Sequence, residues 1–105
     1  MSMTEMLFFG RFEPDILSGK KTITIRDETE KDYTPNTVVD VFTLEEHRRF
    51  CALKIESVTP IHFDELTDFH AVQENMTLPE LKSVIRDIYP NINELYVISY
   101  QLVDE

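Results

Sequence analysis

Lys21, Thr24 and Arg26 stand close together in the sequence and are of the types that perform nucleophilic catalysis without a histidine. A threonine hydroxyl attacks when a base takes its proton, and lysine serves as that base in one variant of the triad arrangement. Lysine is ordinarily protonated, with a pKa of roughly 10.4, so it acts as a base near neutrality only through burial or a neighbouring cation. Arg26 is such a cation, and it can also bind a substrate oxygen. Glu74 is a fourth candidate, because it falls near the C-terminal end of an expected helix. There the helix dipole disfavours negative charge and favours an acid able to protonate an amine leaving group. The same residues also fit a plainer reading, in which Thr and Lys sit on an exposed strand face and Glu74 is one of 20 acidic residues that happens to end a helix.

Other chemistries find less support. His70 precedes Glu74 by one helical turn, but His47 and His62 complete no ligand pattern, so no metal is expected. Two glycines, Gly10 and Gly19, cannot build a phosphate-cradling loop, so nucleotide triphosphates are not expected, and no cofactor is expected either. Cys51, the single cysteine, lies in an alternating apolar segment and reads as a buried thiol in a reducing compartment. Phe8, Phe9, Phe12, Tyr89, Tyr96 and Tyr100 have the rings to stack on a base, although their periodic positions suit a core.

A chain of 105 residues is expected to form one domain, residues 1–105. The formal charge of −10 sets up a field that repels polyanions and argues against RNA as a partner. The N-terminus carries no basic leader and no run approaches the ~20 apolar residues that span a bilayer, so a cytoplasmic protein without membrane association is expected.

The elements that must position these residues can be read from pattern. Met6 to Phe9 suits a strand, and Pro14 to Ser18 one or two helical turns stopped by Gly19 in a left-handed conformation. From Thr22 the β-branched run predicts a strand with Ile23 and Ile25 on one face and Thr22, Thr24 and Arg26 on the other. Lys21 and Thr24 then have opposite parity, so Lys21 must leave the strand path to meet Thr24. Asp27 to Thr37 reads as a loop, Val38 to Thr43 as a strand, Glu45 to Arg49 as a turn and Phe50 to Val58 as a strand ending near Pro60. A helix capped by Asp64, with Leu66, Phe69 and Val72 as its stripe, should end about Gln73 to Asn75. Thr77 and Glu80 form a capping box for a second helix that carries Leu78, Leu81, Val84, Ile85 and Ile88 and ends at Pro90. Leu95 to Val103 closes the chain as a strand with Tyr96, Ile98, Tyr100 and Leu102 on one buried face.

Gly19, Lys21 and Arg26 match the weak signature of the ASCH superfamily, small barrels related to the PUA-type RNA-binding fold. Two longer blocks, Lys-Thr-Ile-Thr-Ile-Arg-Asp-Glu at Lys21 to Glu28 and Gln-Glu-Asn-Met-Thr-Leu at Gln73 to Leu78, are more specific. With Phe8-Phe9, Arg11-Phe12, Asp15 to Leu17 and Asp87 to Pro90, the chain from Phe8 to about Tyr100 resembles the bacterial N4-acetylcytidine amidohydrolases of that superfamily. The resemblance implies an α+β fold: a small, curled, mixed β-barrel-like sheet of about five to six strands with two to three helices. It implies hydrolysis of the exocyclic N4-acetyl amide to cytidine and acetate, with Lys21 as base, Thr24 as nucleophile, Glu74 as acid and Arg26 binding substrate or the oxyanion. Departures fall in the Glu45 to Arg49 turn, at the termini and at Lys20, which leaves the preference for sugar or leaving group open. An RNA-binding PUA-like module and an amidase for another acylated amine are the competing functions.

Overall fold

The structure is a computed structural model and describes residues 4–104. Met1 to Met3, on which the reading of the N-terminus partly rests, lie outside the described residues. In chain order the elements are β1 (Glu5–Phe8), α1 (Glu13–Leu17), β2 (Ile23–Arg26), β3 (Val38–Thr43), β4 (Arg49–His62), α2 (Asp68–Gln73), α3 (Leu78–Ile88) and β5 (Glu94–Leu102). Single 3-10 turns occur at Gly10–Phe12, Glu28–Glu30 and Phe63–Glu65. No helix among the described residues is long and apolar enough to cross a membrane.

The strands make one mixed five-stranded sheet in the order β1-β3-β4-β5-β2. Only β1 and β3 pair in parallel; the other neighbours are antiparallel. The sheet does not close into a barrel, and β1 and β2 are its two edges. A side chain spans this seam: Arg26 of β2 donates from Nη2 to the Leu7 carbonyl of β1 at 2.6 Å, and its guanidinium lies 4.7 Å from the centre of the Phe8 ring. A cavity opens at this seam, lined in part by residues of β1 and β2.

Apolar burial is divided between two clusters. One gathers Met6, Phe8, Val41, Leu53 and Ile55 of β1, β3 and β4 with Ile98 and Tyr100 of β5. The other seats Ala71 of α2 and Leu81 and Ile85 of α3 against Ile23, Ile25 and Leu95. Strand β5 therefore buries side chains on both faces, rather than on the one face that alternation suggests. Leu95 is 1% exposed under the helices, whereas Leu102 is 40% exposed at the strand's far end. A register shift between Ile55 and Ser57 also breaks strict alternation across the β4–β5 pair.

Two further expectations need correction. Strand β4 runs through Pro60 to His62, four residues past the Val58 bound and two past the expected end near Pro60. Beyond Ile55 it pairs only with β5, so the amide hydrogen that proline lacks breaks no ladder on the other side. Helix α2 begins at Asp68, not at Asp64. Thr67 is its N-cap, and the amide of Thr67 donates to Nδ1 of His70 at 3.1 Å. Phe69 and Val72 are exposed, and the inward face carries Ala71 and Glu74 instead. The Thr77–Glu80 capping box of α3 and the left-handed Gly19, with φ of 78°, form as the sequence predicts.

Candidate active site

The backbone resolves the parity conflict between Lys21 and Thr24. After α1 the chain turns through Gly19, and the amides of Lys20 and Lys21 both donate to the Asp15 carbonyl at 3.0 Å. Lys21 thus sits in the turn just before β2, free of the strand's alternation. The buried hydroxyl of Tyr100 donates to the Lys21 carbonyl at 3.1 Å and fixes it from below. The next residue draws in the remote carboxylate, because the amide of Thr22 donates to the Gln73 carbonyl at 2.8 Å. Glu74, the C-cap of α2, is thereby laid beside Lys21. Asn75, left-handed with φ of 58°, adds a side-chain bond to Asp15 at 3.1 Å.

Lys21 Nζ lies 2.9 Å from Glu74 Oε1, with both side chains almost wholly buried. Oε1 makes no well-aligned hydrogen bond, so the contact is primarily a pairing of charges at close range. The ammonium also lies 5.0 Å from the Phe12 ring centre and 5.7 Å from that of Phe8. Burial pushes the Lys21 pKa down from its ordinary value, the contact with Glu74 opposes this, and the nearby Arg26 charge adds to the lowering. Thr24 is buried, and its Oγ1 accepts a hydrogen bond from Arg26 Nε at 2.8 Å. Arg26 is held further by Glu30, through Nη1 at 2.8 Å.

Lys21, Thr24, Arg26 and Glu74 all line one open cavity of about 650 Å³. Phe8, Phe9 and Phe12 of the β1–α1 segment form one apolar part of its wall, and Ile85, Ile88 and Tyr89 of α3 and its C-cap another. Four of the six aromatic residues singled out from sequence therefore border the cavity. Tyr100 belongs to the first core cluster, and Tyr96 lies outside the wall. His70 caps α2. Cys51 is buried. Among the described residues no three of His, Cys, Asp and Glu gather as a metal site. Sequence reasoning missed the grip of Glu30 on Arg26 and the support of Lys21 by Tyr100. The i, i+4 spacing of Arg26 and Glu30 is a pairing signal on helices, and here it spans a strand end and a 3-10 turn.

A family model described as an ASCH domain matches residues 6–82. A Vibrio vulnificus protein named N(4)-acetylcytidine amidohydrolase is 69% identical over 100 residues, covering 95% of this chain and 96% of the relative. The chain belongs to the N4-acetylcytidine amidohydrolase family of the ASCH superfamily. A Pasteurella multocida family member with the same name is 53% identical over 104 residues, spanning 99% of this chain and all of its own. Solved ASCH structures share the fold at low identity. The ASCH domain from Lactobacillus crispatus superposes with a TM-score of 0.75 at 13% identity, covering 96% of this chain and 80% of that one. The ASCH protein from Zymomonas mobilis gives 0.70 at 14% identity, covering 95% and 66%.

Proposed function

We propose that this protein hydrolyses the exocyclic amide of N4-acetylcytidine to cytidine and acetate, with Thr24 as nucleophile, Lys21 as base and Glu74 as acid. The observation that carries the reading is the buried Lys21–Glu74 pair, 2.9 Å apart, in the same apolar-walled cavity as the hydroxyl of Thr24. The 69% identity to a protein named for this activity supports the choice of substrate.

In water a lysine and a glutamate are both charged, which is the wrong state for a base and an acid. Burial lowers the Lys21 pKa, and in the proposed scheme one proton passes from Nζ to the carboxylate 2.9 Å away, creating an amine base and a carboxylic acid together. Lys21 then takes the hydroxyl proton of Thr24 while Oγ1 bonds to the acetyl carbon. As the carbon–nitrogen bond breaks, Glu74 protonates N4 of cytosine, and cytidine leaves. Lys21 is now an ammonium and Glu74 a carboxylate. Water attacks the threonine ester, Glu74 takes the water proton and Lys21 returns a proton to Oγ1, leaving acetic acid and the neutral pair. Three of the five N–H groups of Arg26 are engaged by Thr24, Glu30 and Leu7, which leaves two for a substrate oxygen or the developing oxyanion.

The cavity wall carries Glu5, Glu30 and Glu74 against Lys21 and Arg26, which suits a nucleoside without phosphate better than a polyanion. Purified protein incubated with N4-acetylcytidine should release cytidine and acetate in equal amounts. Lys21→Ala, Thr24→Ala and Glu74→Ala should each lower turnover by about a thousandfold or more. Wild-type protein with no turnover above buffer would sink the proposal.

A further inference from the structure

All three guanidinium nitrogens of Arg26 are engaged. Its Nε donates to Thr24 Oγ1 at 2.8 Å, its Nη1 to Glu30 at 2.8 Å and its Nη2 to the Leu7 carbonyl at 2.6 Å. The Phe8 ring, 4.7 Å away, covers the guanidinium. These contacts aim one cationic N–H at the oxygen that the reaction proposed above makes and breaks.

We propose that Arg26, held in place by Glu30, stabilises Oγ1 of Thr24 as the leaving group when the acetyl ester is hydrolysed. The inference rests on the amidohydrolase reading and assigns it a residue for its second half. Oγ1 is a hydroxyl at rest, an ester oxygen in the intermediate and an incipient alkoxide as the ester breaks. A cationic donor binds the most negative of these best and the ester oxygen least, so the Nε contact strengthens as the carbon–oxygen bond opens. In that step the water oxygen bonds to the acetyl carbon and the water proton goes to Glu74. The electron pair of the broken bond returns to Oγ1, which takes a proton from Lys21. Arg26 touches the reacting oxygen and is catalytic; Glu30 touches only Arg26 and is a positioning residue. A lysine at position 26 cannot reproduce the role, because one ammonium cannot serve three acceptors in the geometry of a planar fork.

The test is rapid quenching of the full chain with N4-acetylcytidine, comparing wild type, Arg26→Lys and Glu30→Ala, with intact-mass analysis of the quenched protein. For Arg26→Lys we expect kcat to fall about a hundredfold. Cytidine should appear in an initial burst ahead of acetate, KM should fall with kcat, and chain acetylated at Thr24 should accumulate. Glu30→Ala should show the same acetylated species with about a tenfold loss. Equal release of cytidine and acetate in both variants without acetylated chain overturns the inference, as does wild-type kcat in Arg26→Lys. If thermal melting shows that Arg26→Lys does not fold, Glu30→Ala decides by the same readouts. Wild-type protein without turnover overturns the amidohydrolase reading instead.

Discussion

Two ion pairs of this protein meet at similar distances in opposite surroundings. Lys21 and Glu74 meet at 2.9 Å with side chains 3% and 6% exposed, while Arg48 and Glu13 meet at 2.6 Å with side chains 52% and 23% exposed. Water screens the second pair and solvates each member when it parts, so it adds little to stability and nothing to reactivity. The first pair has lost that solvation. Its members depend on each other, because removing either leaves the other buried without a partner. Contact distance does not separate the two pairs; their exposure does.

The sharpest way to break the comparison is to remove one partner. Lys21→Ala strands a carboxylate in an apolar wall and should cost about 3 kcal/mol in urea unfolding, in addition to abolishing turnover. Replacing both, as Lys21→Met with Glu74→Leu, should restore most of that stability while leaving the protein inactive. If the double variant is no more stable than the single one, the burial penalty has been misjudged. A second, smaller effect concerns pH. Because folding depresses the Lys21 pKa, the unfolded chain binds more protons between the folded value and the ordinary one near 10.5. Stability should therefore rise with pH through that interval, the penalty being fully present below it. The difference in urea midpoint between wild type and the double variant isolates this slope. In the proposed mechanism turnover depends on the one proton the pair shares, so kcat/KM should fall as that proton is lost, with its alkaline limb below the ordinary lysine range. A rate still climbing through this range rules out the shared-proton scheme. The smallest effect is at the surface, where Arg48→Ala should leave both turnover and melting temperature unchanged within error.

Much of the fold is legible wherever local chemistry decides it. Gly19, the Thr77–Glu80 box and the run of Val38 to Thr43 specify their conformations from neighbouring residues alone. Reading failed where packing chose between equivalent local options. Leu66, Phe69 and Val72 recur at a spacing of three, yet Leu66 is buried in the extended segment before α2, and the short helix turns Ala71 inward. Pro60 stops a strand only if the strand has a partner on that side, and partnership is a property of the sheet. At the site, strand parity alone already requires Lys21 to leave the path of β2. The approach of Glu74 has no local signal, since it depends on a bond between the Thr22 and Gln73 backbones; only family resemblance pointed to it.

That backbone bond also bears on how the protein comes into being. It joins segments separated by half the chain, so the entropy of closing that long loop must be met before Lys21 and Glu74 can meet. A chain with α3 formed and the β3–β4 hairpin paired, but with this loop still open, has the proposed nucleophile and base without the proposed acid. The onset of turnover during refolding is thus a clock for the completion of the fold.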